Sequence, residues 1–117
     1  MHALIIEDDE LIAVAIEDLL RASGFTSFDV AMCLNEAVTA ARKRCPNLIT
    51  ADVELKPGSG IDAVQTICSE TAIPVVFITG RPDAVLSQLP QHPVLNKPFR
   101  VSDVEAAVRQ VMCQQNN

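Results

Sequence analysis

Basic residues are scarce in this chain: 9 Lys and Arg stand against 15 Asp and Glu, a net charge of −6. Binding to nucleic acid needs a positive face that displaces counterions, so the balance argues against that class. No apolar run approaches the length that spans a bilayer. The N-terminus lacks a basic segment followed by an apolar stretch, so no signal peptide is read there and a cytoplasmic location is expected. The four cysteines, Cys33, Cys45, Cys68 and Cys113, show no C-x-x-C spacing, and His2 and His92 lie near neither a cysteine nor each other in sequence. A zinc site is therefore not expected, and the cysteines read as reduced, mostly buried thiols. What is present suits one globular domain over residues 1–117. Hydrophobic content is 49%, enough for a core, and the charged fraction of 21% is too low for disorder.

Four short apolar runs each end in polar chemistry. Glu7 and Asp8 follow Leu4-Ile5-Ile6, and Asp52 follows Leu48-Ile49-Thr50-Ala51. Thr79 follows Val75-Val76-Phe77-Ile78, and Lys97 follows Val94-Leu95-Asn96. Such runs read as strands buried on both faces. In an open parallel sheet, ligand chemistry collects outside the carboxyl ends of the strands. Three carboxylates, a hydroxyl and an ammonium are thus expected at one edge. Carboxylates so close need a cation, and an all-oxygen set suits Mg2+. A carboxylate beside that metal can also act as a nucleophile toward a phosphoryl group.

Strand and helix patterns alternate five times. Strands are expected near residues 3–6, 26–30, 48–51, 75–78 and 94–95. Helix 1 carries Leu11, Ile12, Ala15, Ile16, Leu19 and Leu20 at helical spacing, with Gly24 just past its end. Asn35 is the expected N-cap of helix 2, with Ala37, Val38 and Ala41 inward. Helix 3 turns Ile61, Val64, Ile67 and Cys68 to one face. Pro82, Pro90 and Pro93 confine helix 4 to residues 83–89, about two turns. Helix 5 opens on the capping box Ser102-x-x-Glu105 and packs Val104, Ala107, Val108 and Val111, before a polar, frayed tail over residues 114–117. The pattern predicts a flavodoxin-like (βα)5 doubly wound parallel sheet of order 2-1-3-4-5, whose crevice lies between strands 1 and 3.

The segments Ala3-Leu4-Ile5-Ile6-Glu7-Asp8-Asp9-Glu10, Ile49-Thr50-Ala51-Asp52-Val53-Glu54-Leu55, Phe77-Ile78-Thr79-Gly80 and Asn96-Lys97-Pro98-Phe99 resemble, in order, the four signatures of the receiver domain of two-component response regulators. Each is weak alone; together they span nearly the whole chain. The resemblance implies that Asp52 is the phosphoacceptor and that Asp8 ligates Mg2+ directly. It implies that Glu7 acts on the metal through water and that Glu54 offers its backbone carbonyl. Thr79 is implied to donate to a phosphoryl oxygen and Lys97 to offset its charge, with a cis Lys97–Pro98 peptide aiming the lysine inward. Each residue also has a plainer reading: Asp52 as a turn cap, Thr79 as a strand former, Lys97 as a solvated lysine. Asp9 and Glu10 fit simple helix N-terminal charge.

Two features depart from the common pattern. Val94 stands where the family often carries Tyr or Phe, and the chain has neither Tyr nor Trp. Phe77-Ile78-Thr79-Gly80 resembles a single-domain subgroup with a Phe-Ala-Thr-Gly signature. The segment from Ala51 to Val64 also looks like receivers of the alphaproteobacterial general stress response. The expected function is a stand-alone phosphoacceptor, not an enzyme except in its own phosphorylation and dephosphorylation. Its expected partners are a histidine kinase or phosphotransfer protein and a downstream protein; the output is a changed binding surface or a phosphate sink. One alternative is an aspartyl-phosphate phosphatase of the haloacid dehalogenase type, but its Asp-x-Asp motif would need Asp where Glu54 stands. The other is a degenerate receiver that binds a partner without phosphate.

Overall fold

A computed structural model describes residues 1–115; Asn116 and Asn117, half of the tail expected to fray, lie outside them. Five strands, β1 (His2–Ile6), β2 (Ser27–Ala31), β3 (Leu48–Ala51), β4 (Val75–Thr79) and β5 (Val94–Asn96), form one parallel sheet of order β2-β1-β3-β4-β5. They alternate with α1 (Glu10–Ala22), α2 (Leu34–Lys43), α3 (Gly60–Glu70), α4 (Pro82–Gln88) and α5 (Val101–Gln115). The pleat sorts the strand side chains between two cores. Leu4, Ile6, Ile49, Val75 and Phe77 face α2, α3 and α4. Ala3, Ile5, Leu48, Val76 and Ile78 face α1 and α5. This is why the three central strands carry no polar alternation and read as continuous apolar runs.

Local signals account for most helix ends. Asp9 caps α1, its Oδ1 accepting the N–H groups of Leu11 and Ile12 at 3.0 and 3.2 Å. At the other end Gly24 adopts φ 104°, its N–H donating to Arg21 O and that of Phe25 to Leu20 O, while Phe25 buries beneath. That pair of bonds is the Schellman arrangement, and the positive φ favours glycine there.

Several expectations need correction. The N-cap of α2 is Cys33 rather than Asn35, so the helix starts two residues earlier than expected, and Glu36 reaches back to accept from the Met32 N–H at 2.9 Å. The α5 helix starts at Val101, with Arg100 O accepting from Asp103 and Val104, so Ser102 sits inside the first turn and does not cap. The thiols are not mostly buried: Cys33 and Cys68 are half-buried, Cys45 and Cys113 exposed. On α1 the buried set is Ala13, Ile16, Leu19 and Leu20, whereas Leu11 and Ala15 of the expected stripe stand exposed. The helix is apolar around more of its circumference than the sheet and α5 cover. The short α4 appears where the prolines confine it, shifted by one residue, with Val85 its one buried side chain.

Candidate functional site

The sheet ladder runs one residue past the strand ends and fixes the polar groups there. Glu7 N–H donates to Ala31 O, Asp52 N–H to Ile6 O, and Lys97 N–H to Thr79 O, each at 2.9 Å. Glu7 and Asp52 are thereby set side by side at the crevice between β1 and β3, where the topology switches, and Lys97 stands along the same edge beyond Thr79 of β4.

Lys97 is the hub. Its Nζ donates to Glu7 Oε1 and to Asp52 Oδ2, both at 2.7 Å, and the Lys97–Pro98 peptide is cis. Glu7 is 1% exposed and Asp52 7%. The other oxygen of Glu7 accepts from the Asp9 N–H at 3.3 Å. By contrast Asp52 Oδ1 is buried without a hydrogen-bond partner. A buried carboxylate oxygen left unpaired is costly unless something binds it.

Charge is unevenly shared. Burial pushes the Glu7 carboxyl above its ordinary range; the Lys97 hydrogen bond pulls it back only in part, and the Asp52 charge adds to the rise. For Lys97, burial works downward, but the hydrogen bonds and charges of Asp52 and Glu7 outweigh it and hold the ammonium above its usual pKa. The ammonium therefore stays charged across neutral pH and offsets part of the acidic crowding.

Glu7, Asp8 and Asp52 each present a carboxylate oxygen within 4.8 Å of the others. The donor set is all oxygen and anionic. Such a set fits a hard divalent cation of the Mg2+ kind better than a thiophilic one.

Thr79 lies fully buried at the end of β4, with its Oγ1 accepting the Arg81 N–H at 3.0 Å. Its hydroxyl proton remains to be given. Glu54 is not among the clustered carboxylates. Its side chain turns outward to Arg81, Nη1 to Oε1 at 3.5 Å, and Arg81 also approaches Asp83 at 3.7 Å. The Glu54 backbone pairs across a tight loop with Ser59. Val94 is half-buried against the α2–α3–α4 core, a plain packing residue.

One residue went unremarked in the sequence. Gly60 begins α3 so close to the Asp52 backbone that an added Cβ would lie 1.7 Å from Asp52 O. Its N–H donates to Val53 O at 2.8 Å. The available signal was a glycine directly after the capping Ser59, at a first-turn position where most residues favour the helix more.

Comparisons with known proteins agree with this fold. The family model for the response regulator receiver domain matches residues 3–109. The phyllosphere-induced regulator PhyR of Methylorubrum extorquens is 38% identical over 113 residues, covering 93% of this chain and 42% of PhyR. Among solved structures, the receiver domain of Erythrobacter litoralis PhyR superposes with a TM-score of 0.92 at 36% identity, covering 99% of this chain and 92% of that one. The anti-anti-sigma factor PhyR from Bartonella quintana gives 0.86 at 36% identity, over 99% of this chain and 49% of the other. The chain spans about half the length of these PhyR regulators. Fold, strand order and family match converge, and the chain belongs to the response regulator receiver domains.

Proposed function

We propose that this receiver accepts a phosphoryl group on Asp52 in a Mg2+-dependent reaction, within one domain formed by residues 1–117. The carrying observation is the asymmetry of Asp52, whose carboxylate clusters with those of Glu7 and Asp8: one oxygen is held by Lys97 at 2.7 Å and the other is buried and unpaired. A carboxylate so placed is fixed in orientation, and its free oxygen can form a new bond.

Asp8 and Asp52 would hold the ion directly, Glu7 through water and Glu54 through its backbone carbonyl. When bound, Mg2+ would neutralise part of the negative charge that the carboxylates and an incoming phosphoryl group share. The chain's own groups do the rest. An Asp52 oxygen attacks phosphorus; the bond from phosphorus to the donor nitrogen of a phosphohistidine breaks, and the imidazole leaves with the electron pair and takes up a proton. The Lys97 ammonium can swing from Asp52 Oδ2 to a phosphoryl oxygen, where it offsets charge as a compact cation. Thr79 can donate its remaining hydroxyl proton to a second oxygen. On this reading the chain is a signalling module, catalytic only toward its own acyl phosphate. The donor is a histidine kinase or phosphotransfer protein. The likeness to PhyR, one member of which is named an anti-anti-sigma factor, favours a protein as the downstream partner. The dehalogenase-type alternative loses support because Glu54, where its second aspartate would stand, turns away to Arg81.

The test is phosphorylation by acetyl phosphate, read as a mass increase of one phosphoryl group on the intact protein, with and without Mg2+. Mass is the right readout because the chain has no tryptophan to report by fluorescence. Asp52→Ala should abolish the adduct while leaving the circular dichroism spectrum unchanged, and Asp8→Asn should abolish its metal dependence by weakening metal binding. A full-yield adduct on Asp52→Ala would refute the assignment.

A further inference from the structure

His2, Ser27 and Asp29 form a polar relay at the amino end of the sheet, opposite the end that carries Asp52. Parallel pairing sets His2 of β1 beside Ser27 of β2. The pleat turns Asp29, two residues on, to the same face. The His2 ring bridges the two: Nδ1 lies 2.9 Å from Ser27 Oγ and Nε2 3.0 Å from Asp29 Oδ2. His2 is 4% exposed, and its backbone N–H donates to Asn47 Oδ1 at 2.7 Å, so the ring is anchored. Ser27 is half-buried on β2, which is an edge strand of the sheet. The partners fix the tautomer. A carboxylate only accepts hydrogen bonds, so the proton between Nε2 and Asp29 belongs to the ring. In the neutral imidazole, Nδ1 then holds its lone pair toward Ser27, and the hydroxyl donates to it. Nucleophile, base and orienting carboxylate, linked in that order, are the parts of an activated serine, defined by geometry and not by sequence position.

We propose that Ser27 is a site of acylation, with His2 as its general base and Asp29 as a positioning residue. The donor class is a small activated ester with a short acyl chain, because a half-buried hydroxyl admits a compact carbonyl carbon. The step balances without outside help. Ser27 Oγ bonds to the carbonyl carbon, and its proton passes to His2 Nδ1. The bond from that carbon to the leaving oxygen breaks, and the oxyanion leaves with the electron pair. The acyl group stays on Ser27. Asp52 takes no part, so this modification is independent of the phosphoacceptor reading.

The experiment treats the full chain with p-nitrophenyl acetate at neutral pH and follows acetylation of each serine by peptide mass mapping. Ser69 and Ser102, both exposed, give the rate of an ordinary hydroxyl. A well-placed general base accelerates by about 10²–10⁴, so Ser27 should be acetylated at least roughly tenfold faster than either, although it is less exposed. Asp29→Asn keeps the side-chain shape, but its amide can donate to Nε2 and so send the ring proton to Nδ1. In that variant Ser27 acetylation should fall to the Ser69 rate, and the two His2 imidazole nitrogen chemical shifts should exchange their protonated and bare signatures. His2→Gln should lose the fast acetylation as well, with circular dichroism reporting that each variant is folded. Wild-type Ser27 reacting no faster than Ser69 overturns the proposal and leaves the three residues as a structural tie between β1 and β2. Fast acetylation that survives in folded Asp29→Asn overturns the role given to Asp29.

Discussion

Gly60→Ala tests whether the backbone contact at the start of α3 sets the position of the nucleophile. The added Cβ would lie 1.7 Å from Asp52 O, 2.8 Å from its carbonyl carbon and 3.4 Å from Val53 Cα. Real Cβ contacts essentially never fall below 3.0 Å, and the obstructing atoms are backbone, so no side chain can swing aside. Reaching 3.0 Å requires an opening of 3.0 − 1.7 = 1.3 Å. Along the same line that opening stretches the Gly60 N–Val53 O bond from 2.8 Å to about 4.1 Å, past hydrogen-bonding range. Overpacking costs about 1–3 kcal/mol and a buried group left unpaired about 1–3 kcal/mol. Alanine's better helix propensity returns less than about 1 kcal/mol. A net loss of about 2–4 kcal/mol is expected, which for a domain of this size lowers Tm by roughly 10–20 °C. Thermal and urea unfolding followed by far-ultraviolet circular dichroism measure it. Phosphorylation of the folded variant by acetyl phosphate should slow as well, because the displaced atoms belong to Asp52 and Val53. Gly80→Ala is the control: its Cβ meets nothing within 4 Å and its φ is not positive, so its stability should change by no more than about 0.5 kcal/mol. A Gly60→Ala loss below about 1 kcal/mol would refute the reasoning.

Three further outcomes are expected. Thr50→Val should raise stability, by up to about 1 kcal/mol, since Thr50 Oγ1 is buried without a partner among apolar neighbours and valine keeps its shape; a lower urea midpoint would show that the hydroxyl is satisfied. The Glu54–Arg81 pair, two exposed side chains 3.5 Å apart, contributes about 0–1 kcal/mol to stability, yet it spans the loops that follow Asp52 and Thr79. Glu54→Ala and Arg81→Ala should each speed loss of the phosphoryl group, and the double variant should be less than additive; slower hydrolysis in Glu54→Ala would mean that Glu54 positions water instead. Burial holds the His92 pKa below its ordinary 6.5, so the unfolded chain takes up the proton first. The stabilising contribution is then present above pH 6.5 and is lost as pH falls through the lower folded value. His92→Gln should therefore flatten the fall in Tm between about pH 7 and 5, and an unchanged pH profile would contradict this.

The sequence by itself determined the alternation of strands and helices, the two faces of the sheet and the polar residues at the strand ends. Those features are local: a strand buried on both sides must be apolar along its length, and the first polar residue after it marks the edge. The glycine past the end of α1 was legible for the same reason, whereas Asp9 reads in sequence only as helix N-terminal charge and proves to be the cap, and the caps expected at Asn35 and Ser102 are misplaced. Only the tertiary structure decided which groups meet. Lys97 reaches Glu7 across 90 positions and Asp52 across 45, a proximity set by strand order and not by any neighbouring residue. The free oxygen of Asp52, the outward turn of Glu54 and the demand for glycine at position 60 follow from how α3 and the loops dock on the sheet. Leu11 shows the limit most directly. Its spacing matches that of its buried neighbours, but whether an apolar residue on a helix is covered depends on how far the packed elements extend, and here they stop short of it.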